Sequence, residues 1–162
     1  MLIEQTFVIQ VPHQTLWDFL LDVERMSLCM PGVEKVEALD ADSKGRSRNY
    51  QGSLKVKIGP IAAAFAGKAR WVEVNPPRRL VAKAEGADAR TASLVSATFA
   101  ATLTPVSENQ TEVAYQIDFV IRGALGRFGQ GVMREIAKRM TAEFARCVES
   151  RLQAPAEPSS GE

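Results

Sequence analysis

One long amphipathic stripe near the C-terminus constrains the fold more than any other feature of the sequence. From about Ala124 to Leu152, apolar side chains recur every three or four positions, which predicts one long helix with a continuous apolar face. The stripe comprises Leu125, Phe128, Val132, Ile136, Met140, Phe144, Val148 and Leu152. A helix of this length must bury its stripe against another layer of structure, which the preceding sequence has to supply.

The preceding sequence predicts an antiparallel sheet. The first strand alternates, and the more apolar of its faces carries Ile3, Gln5, Phe7, Ile9 and Val11. Six further strands are predicted at 33–41, 46–58, 62–74, 79–86, 91–103 and 111–121. Short polar turns separate them, and strands joined in this way pair antiparallel because parallel pairs need long crossovers. The prediction is therefore a seven-stranded antiparallel sheet.

Two short helices are predicted between the first and second strands. Pro12 suits the first turn of one helix, Asp22 suits the cap of the next, and Pro31-Gly32 ends it. A twisted sheet wrapped around one helix diverges from that helix at one end, where the short helices are placed to cover the gap. The predicted fold class is α+β, of the helix-grip type, with an apolar cavity inside the sheet.

Length and composition bound the class of protein. The 162 residues, 46% hydrophobic and 24% charged, predict one globular domain at 1–152 and a disordered polar tail at 153–162. The net charge of +1 argues against binding to nucleic acid. With no signal peptide and no apolar run that would span a membrane, we expect a cytoplasmic protein, at most peripheral at the inner face of the membrane. Cys29 and Cys147 lack metal-ligand spacing and are predicted to be reduced, buried thiols.

Small residues in the middle strands and around the start of the long helix favour a cavity. Ala62, Ala63, Ala64, Ala66, Gly67 and Ala69 crowd one strand. The predicted cavity lining comprises Met26, Leu28, Met30, Phe65, Leu125, Phe128, Val132, Met133 and Ile136. The predicted cavity mouth comprises Pro31, Gly32, Gly59, Pro60, Gly126 and Gly129. Close helix–sheet packing explains the glycines equally well, and plain core filling explains the methionines equally well.

Groups suited to catalysis are sparse. The sole histidine, His13, lies at the junction of the first strand and first helix, where we expect it to be exposed. Asp88 and Asp118 are isolated candidates for a buried acid, and no serine or cysteine has a recognisable base. The sequence therefore predicts no catalytic residue and no metal ligand. The basic face of the long helix, with Arg127, Arg134, Lys138 and Arg139, is interpreted as solvated surface, with contact to anionic lipid or an acidic partner as the alternative.

Several segments, in order over residues 1–152, resemble one known family. They are Phe7-Val8-Ile9 with Val11-Pro12, Leu16-Trp17, Cys29-Met30-Pro31-Gly32-Val33, Val56-Lys57-Ile58-Gly59-Pro60, Phe65-Ala66-Gly67 and Gly123-Ala124-Leu125-Gly126-Arg127-Phe128-Gly129. The family is that of the carbon monoxide dehydrogenase G subunit, within the START-like and polyketide-cyclase superfamily (SRPBCC). The resemblance implies a helix-grip fold with a hydrophobic ligand cavity.

The resemblance also implies a functional setting. Family members often accompany molybdenum-containing carbon monoxide dehydrogenases or related hydroxylases, and are associated with membrane attachment or electron transfer to quinone. Many carry a longer hydrophobic C-terminal extension; because this sequence ends at Glu162 after a polar tail, we do not expect it to anchor itself.

We therefore expect a non-enzymatic accessory protein that binds a quinone or lipid-like molecule and holds no covalent cofactor. Its expected partners are the hydrophobic small molecule, the subunits of a carbon monoxide dehydrogenase or molybdenum hydroxylase, and the membrane surface. Two alternatives stay open, namely a docking or membrane-recruitment protein without a ligand and a cyclase- or aromatase-like enzyme.

Overall fold

Seven strands, three α-helices and two 3-10 turns make up the computed structural model, which describes residues 1–42 and 47–152. In chain order they are β1 (Leu2–Ile9), α1 (His13–Leu21), α2 (Val23–Met26), a 3-10 turn (Ser27–Cys29), β2 (Val33–Ala38), β3 (Asn49–Ile58), β4 (Ile61–Asn75), β5 (Arg79–Asp88), β6 (Ser93–Ser107), β7 (Gln110–Arg122), a second 3-10 turn (Ala124–Arg127) and α3 (Gln130–Leu152). The predicted tail at 153–162 and part of the predicted turn after β2 lie outside the described residues.

The strands form one sheet in the order β1-β7-β6-β5-β4-β3-β2, and every neighbouring pair is antiparallel. All neighbours are consecutive in sequence except β1 and β7, which brings the first strand beside the last. The amino group of Met1 reinforces this pairing by donating a hydrogen bond to the Phe119 carbonyl oxygen at 2.7 Å. The predicted seven-stranded sheet and the helix-grip fold class are confirmed.

Two apolar clusters fill the space between the sheet and the helices. The α1 cluster contains Ile9, Val11, Leu16, Trp17, Phe19, Cys29, Leu80, Ala101, Leu103, Val113 and Val148. The β3–β4 cluster contains Ile3, Ile58, Ala63, Phe65, Phe119, Leu125 and Met133. The end of α3 therefore packs in the first cluster and its beginning in the second. The core is divided because the sheet curves along the length of one helix.

The long helix begins later than predicted. The sequence pattern placed its start near Ala124, whereas α3 begins at Gln130. Gly123 adopts φ +92°, which only glycine takes readily, and Phe128 is extended. The intervening 3-10 turn is held by a hydrogen bond from the Leu125 amide to the Ser93 hydroxyl at 3.1 Å. Within residues 1–42 and 47–152, no helix is long and apolar enough to cross a membrane.

The two cysteines form a disulfide, so the prediction of reduced thiols was wrong. Cys29 follows α2 and Cys147 lies near the end of α3, 118 positions later, yet their Cα atoms are 5.4 Å apart. The sequence offers no spacing signal for this pair, because the fold alone brings the 3-10 turn after α2 against α3. The disulfide connects the segment after α2, which covers one end of the sheet, to α3.

Candidate ligand-binding site

The centre of the concave face, which is the face of the sheet that carries the core, is lined by small residues. Two rows run across neighbouring strands in direct register, Ala69, Ala84 and Ala97 in one, and Gly52, Gly67 and Gly86 in the other. Ala84 is exposed and Ala69 and Ala97 are only half-buried, although they lie on the core side of the sheet. Helix α3 therefore does not fill the grip, and the middle of the concave face stays accessible.

An aromatic wall borders this open region. Trp71, Ala82, Phe99 and Ile117 follow one another in register, and the two aromatic members of this row are half-buried. The ring of Phe99 lies 5.5 Å from that of Tyr115. Half-buried aromatic rings beside an unfilled space offer flat apolar surface to a ligand.

Three polar side chains lie inside the grip, between the two apolar clusters. Gln5 and Tyr115 are direct partners across β1 and β7, and the Tyr115 hydroxyl donates a hydrogen bond to Gln5 Oε1 at 3.0 Å. The same hydroxyl is hydrogen-bonded to the Thr141 hydroxyl of α3. The amide nitrogen of Gln5 is buried and has no partner within the described part of the chain. We call Gln5, Tyr115 and Thr141 the polar triad.

Burial raises the pKa of Tyr115 above its ordinary value of 10, and the hydrogen bond with Thr141 acts in the opposite direction. The second tyrosine, Tyr50, also has a raised pKa, chiefly because of burial and also because of the negative charges of Glu24 and Asp40. Both phenols therefore favour the neutral, proton-donating form at physiological pH.

An alkaline titration followed by phenolate absorbance tests this environment. A tyrosine whose pKa is raised on folding contributes stability that is fully present below pH 10. That contribution is lost as pH rises through the folded-state pKa. We expect both tyrosines to ionise above pH 10 in the folded protein, and Tyr115→Phe to remove one of the two transitions. Above pH 10 the unfolding free energy should fall more steeply in the parent protein than in Tyr115→Phe. A phenol that titrates at 10 in the folded parent and is absent from the variant would contradict the buried placement.

A groove of about 430 Å³ opens between the β3–β4 turn and the start of α3, near the β3–β4 cluster. Its walls are formed by Lys57, Gly59, Gly131, Val132, Glu135, Ile136 and Arg139. Gly59 adopts φ +61° in the tight turn, and the Phe128 ring lies 3.1 Å from where a Cβ at Gly59 would stand. The Arg127 guanidinium lies 5.4 Å from the centre of that ring. This mouth groove combines an apolar floor with two basic side chains and one acidic side chain.

The sequence matches the family model of the carbon monoxide dehydrogenase G subunit (CoxG) over residues 6–153. The chain belongs to the CoxG family. No curated protein matches the sequence.

Solved structures with the same fold support this assignment at the level of architecture. A conserved protein from Geobacillus kaustophilus superposes with a TM-score of 0.81 at 18% identity, over 94% of this chain and 95% of its own. The ZhuI aromatase/cyclase from Streptomyces sp. R1128 gives 0.66 at 17% identity, over 100% and 99% of the two chains. A START superfamily protein from Mycobacterium smegmatis gives 0.63 at 13% identity, over 94% and 97%. The CoxG chain therefore has the START-like helix-grip fold.

The mouth groove of the CoxG chain gathers several predicted residues. Val132, Ile136 and Gly59 line it, and Phe128 packs on the Gly59 turn beside it. Of the other predicted mouth residues, Pro60, Gly126 and Gly129 are exposed at the same end of the molecule. Gly32, with Pro31 before it, lies instead against β3, where the Gly32 carbonyl accepts a hydrogen bond from the Lys55 amide.

The remaining predicted lining residues are dispersed. Phe65, Leu125 and Met133 are buried within the β3–β4 cluster, where they contact other core residues. Met26 packs against the α1 cluster, Met30 is half-buried, and Leu28 is 65% exposed on the surface. The structure thus does not bring Met26 and Leu28 together with the mouth groove. Whether any of these residues touches a ligand stays a prediction.

Half of the alanine run in β4 lies on the wrong face for a cavity. Ala62, Ala64 and Ala66 are exposed on the outer face of the sheet, whereas Ala63, Gly67 and Ala69 lie on the concave face. A strand alternates its side chains, so consecutive alanines cannot all point inward. Sequence reasoning missed the row of Ala69, Ala84 and Ala97, because these residues are seen to be neighbours only when the register of the three strands is known.

The candidate acids and the histidine occupy separate positions. Asp118 is exposed, so its assignment as a buried acid was wrong. Asp88 is buried, but it accepts hydrogen bonds from the Arg90 amide and the Thr91 hydroxyl, which fix the turn after β5. His13 is half-buried rather than exposed, and its Nε2 has no partner among the described residues. These groups do not share a site.

A second, larger groove of about 600 Å³ lies on the outer face of the sheet, which the sequence did not predict. Its outward-facing walls are formed by Ala66, Lys68, Glu85, Ala87, Leu94, Ser96, Val120 and Arg122, which are neighbours in register across β4 to β7. Leu94 is 57% exposed and Val120 is 51% exposed. This groove is separated from the polar triad by the sheet itself.

Proposed function

We propose that this CoxG family member binds a lipophilic small molecule between α3 and the concave face of the sheet, without transforming it chemically. The observation that carries the proposal is the exposure of Ala84 on the core side of the sheet, beside half-buried Ala69 and Ala97. Small side chains leave room where a closed core would place large aliphatic ones. A ligand burying about 200 Å² of apolar surface there gains roughly 5 kcal/mol, before the entropic cost of binding.

The proposed ligand is a quinone or a lipid-like molecule. The half-buried rings of Trp71 and Phe99 provide flat apolar surface, and the mouth groove beside Val132 and Ile136 is the proposed entrance. Lys57 and Arg139 at the mouth outnumber Glu135 and leave a net positive charge, which supports transient contact with an anionic membrane surface during loading.

The family supports a role as an accessory protein to a carbon monoxide dehydrogenase or related molybdenum hydroxylase. In this proposal the CoxG chain carries the lipophilic molecule for the redox enzyme, and the enzyme supplies the chemistry. Binding of the chain to a purified carbon monoxide dehydrogenase tests this part independently of the cavity.

Mass spectrometry of an organic extract is the direct test of ligand binding. Protein purified without detergent should release a lipophilic molecule in near-stoichiometric amount. An extract that is empty, and remains empty after incubation with quinones and lipids, would remove the support for a carrier and favour a docking role. A polar compound recovered together with its chemically altered product would instead favour an enzyme.

A cavity-filling substitution tests where the ligand lies. Ala84→Leu adds apolar volume to the concave face, and we expect it to weaken binding of a dimethylnaphthalene probe about tenfold or more, because the probe and the new side chain compete for one space. Ala87→Leu is the matched control, since Ala87 is on the same strand but faces the outer groove. Equilibrium dialysis measures both affinities, and thermal unfolding verifies that both variants fold. Equal affinity in the two variants would place the ligand elsewhere.

A further inference from the structure

We infer that the polar triad is the head-group anchor of the interior site, and that it selects ligands carrying an uncharged hydrogen-bond acceptor such as a ketone or quinone carbonyl. This inference rests on the proposed function and assigns a chemical class to the ligand. Gln5 supplies the donor, whereas Tyr115 and Thr141 hold Gln5 in position.

The triad lies at the junction of the two apolar clusters. On β1, Ile3 belongs to the β3–β4 cluster and Phe7 packs against the α1 cluster, so Gln5 lies between them. Thr141 occupies the corresponding place on α3, between Ala137 and Phe144. A polar group in the middle of an apolar interface is costly to bury unless its hydrogen bonds are satisfied.

The hydrogen-bond donors of the triad outnumber the acceptors that they meet within it. Tyr115 has one hydroxyl proton, which it donates to Gln5 Oε1, so the Thr141 hydroxyl is the donor in its bond to Tyr115. The chain of hydrogen bonds therefore runs from Thr141 through Tyr115 to the Gln5 carbonyl. The Gln5 amide nitrogen is left with donor capacity and no acceptor within residues 1–42 and 47–152. The triad therefore offers a hydrogen-bond donor to a ligand, and the ligand group that matches it is an acceptor oxygen.

The triad carries no charge. Its three side chains are neutral at physiological pH, and burial favours the neutral form of Tyr115 further. A neutral donor in an apolar interior suits a carbonyl oxygen, whereas a carboxylate or phosphate would lose its hydration without an opposite charge in the triad.

The triad lies within the length of a small ligand from the open row of alanines. The Tyr115 ring contacts Phe99, which is two residues from Ala97 in the open row on the concave face. Tyr115 pairs with Ala101, and four residues along β6 separate Ala101 from Ala97, or about 13 Å. A bicyclic ring with a short tail spans this distance. The head of such a ligand would meet Gln5, its rings would lie over Phe99, and its tail would extend toward Ala84.

A pair of probes that differ only in their carbonyl groups tests the inference. The probes are 2,3-dimethyl-1,4-naphthoquinone and 2,3-dimethylnaphthalene, and equilibrium dialysis gives the ratio of hydrocarbon Kd to quinone Kd for each protein. We expect this ratio to fall about tenfold in Gln5→Leu, because leucine is similar in size to glutamine but lacks the amide donors. The exposed residue Gln14 provides the control, and Gln14→Leu should leave the ratio unchanged.

Further measurements keep the test decisive. If Gln5→Leu does not fold, Tyr115→Phe removes the hydroxyl that orients the amide, and the ratio should fall there as well. The infrared carbonyl stretch of the bound quinone should move to lower frequency in the parent protein and return toward its free value in the variant. A ratio that stays constant while both probes bind would overturn the anchor and leave the proposed function standing. Failure of the parent protein to bind either probe would overturn both.

Discussion

Replacing Gly67 with alanine is expected to lower the free energy of unfolding by about 3 kcal/mol or more. A Cβ at this position would stand 1.9 Å from the Glu85 carbonyl oxygen and 2.6 Å from the Gly86 Cα, both of which are backbone atoms in the neighbouring strand. Gly67 and Gly86 are direct partners in the β4–β5 ladder, so the clash is relieved only by separating two hydrogen-bonded strands in mid-sheet. Glycine is required here because the backbone of β5 approaches this position closely.

Gly131→Ala is the matched control for this substitution. No heavy atom lies within 4 Å of the position that its Cβ would take, and the residue is in the first turn of α3. Alanine is favoured over glycine in a helix by up to about 1 kcal/mol, so this variant should be as stable as the parent or slightly more stable. Urea unfolding of the three proteins gives the comparison. A Gly67→Ala protein with the parent midpoint would show that β4 and β5 do not approach each other as described.

Loss of the Cys29–Cys147 disulfide should produce the other large effect, a decrease of about 2–5 kcal/mol in the free energy of unfolding. The bond closes a loop across 118 positions, and a cross-link over so long a loop strongly restricts the unfolded chain. It also holds the segment after α2 against α3, where Cys29 is 3% exposed within the α1 cluster. The double variant Cys29→Ala/Cys147→Ala measures this contribution by urea or thermal unfolding.

Chemical reduction supplies the control for that experiment. A phosphine reductant should lower the melting temperature of the parent protein toward that of the double variant and should leave the double variant unchanged. A parent protein whose melting temperature is insensitive to complete reduction, verified by thiol counting, would contradict a stabilising role for the bond.

The fold was predictable from local patterns because each element carries its own period. Alternation in β1 assigned its concave face correctly, including Gln5, and the stripe from Val132 to Leu152 identified α3. The start of α3 was misplaced because the apolar stripe continues through Leu125 and Phe128, while glycines at 123, 126 and 129 interrupt the helix. Backbone propensity decided that boundary, and side-chain periodicity did not reveal it.

The candidate site was less predictable because it depends on register and on contacts between distant elements. The row formed by Ala69, Ala84 and Ala97 exists only once three strands are aligned. The polar triad unites β1, β7 and α3, and the partnerless amide of Gln5 is a property of packing within the described residues. A glutamine on the apolar face of β1 was the one sign of the polar triad in the sequence. It indicates a polar site only when its contact with Tyr115 is known. The disulfide was missed for the same reason.

The pairing of β1 with β7 has a consequence for synthesis of the chain. Gln5 leaves the ribosome 110 positions ahead of its partner Tyr115, and at about 5–20 residues per second the first strand waits roughly 5–20 s for the strand beside which it lies. During that interval β1 has an apolar face and unpaired backbone groups, which are the features of an exposed strand edge that favour pairing with another chain. The N-terminal strand therefore remains without its partner in the sheet until β7 has been synthesised.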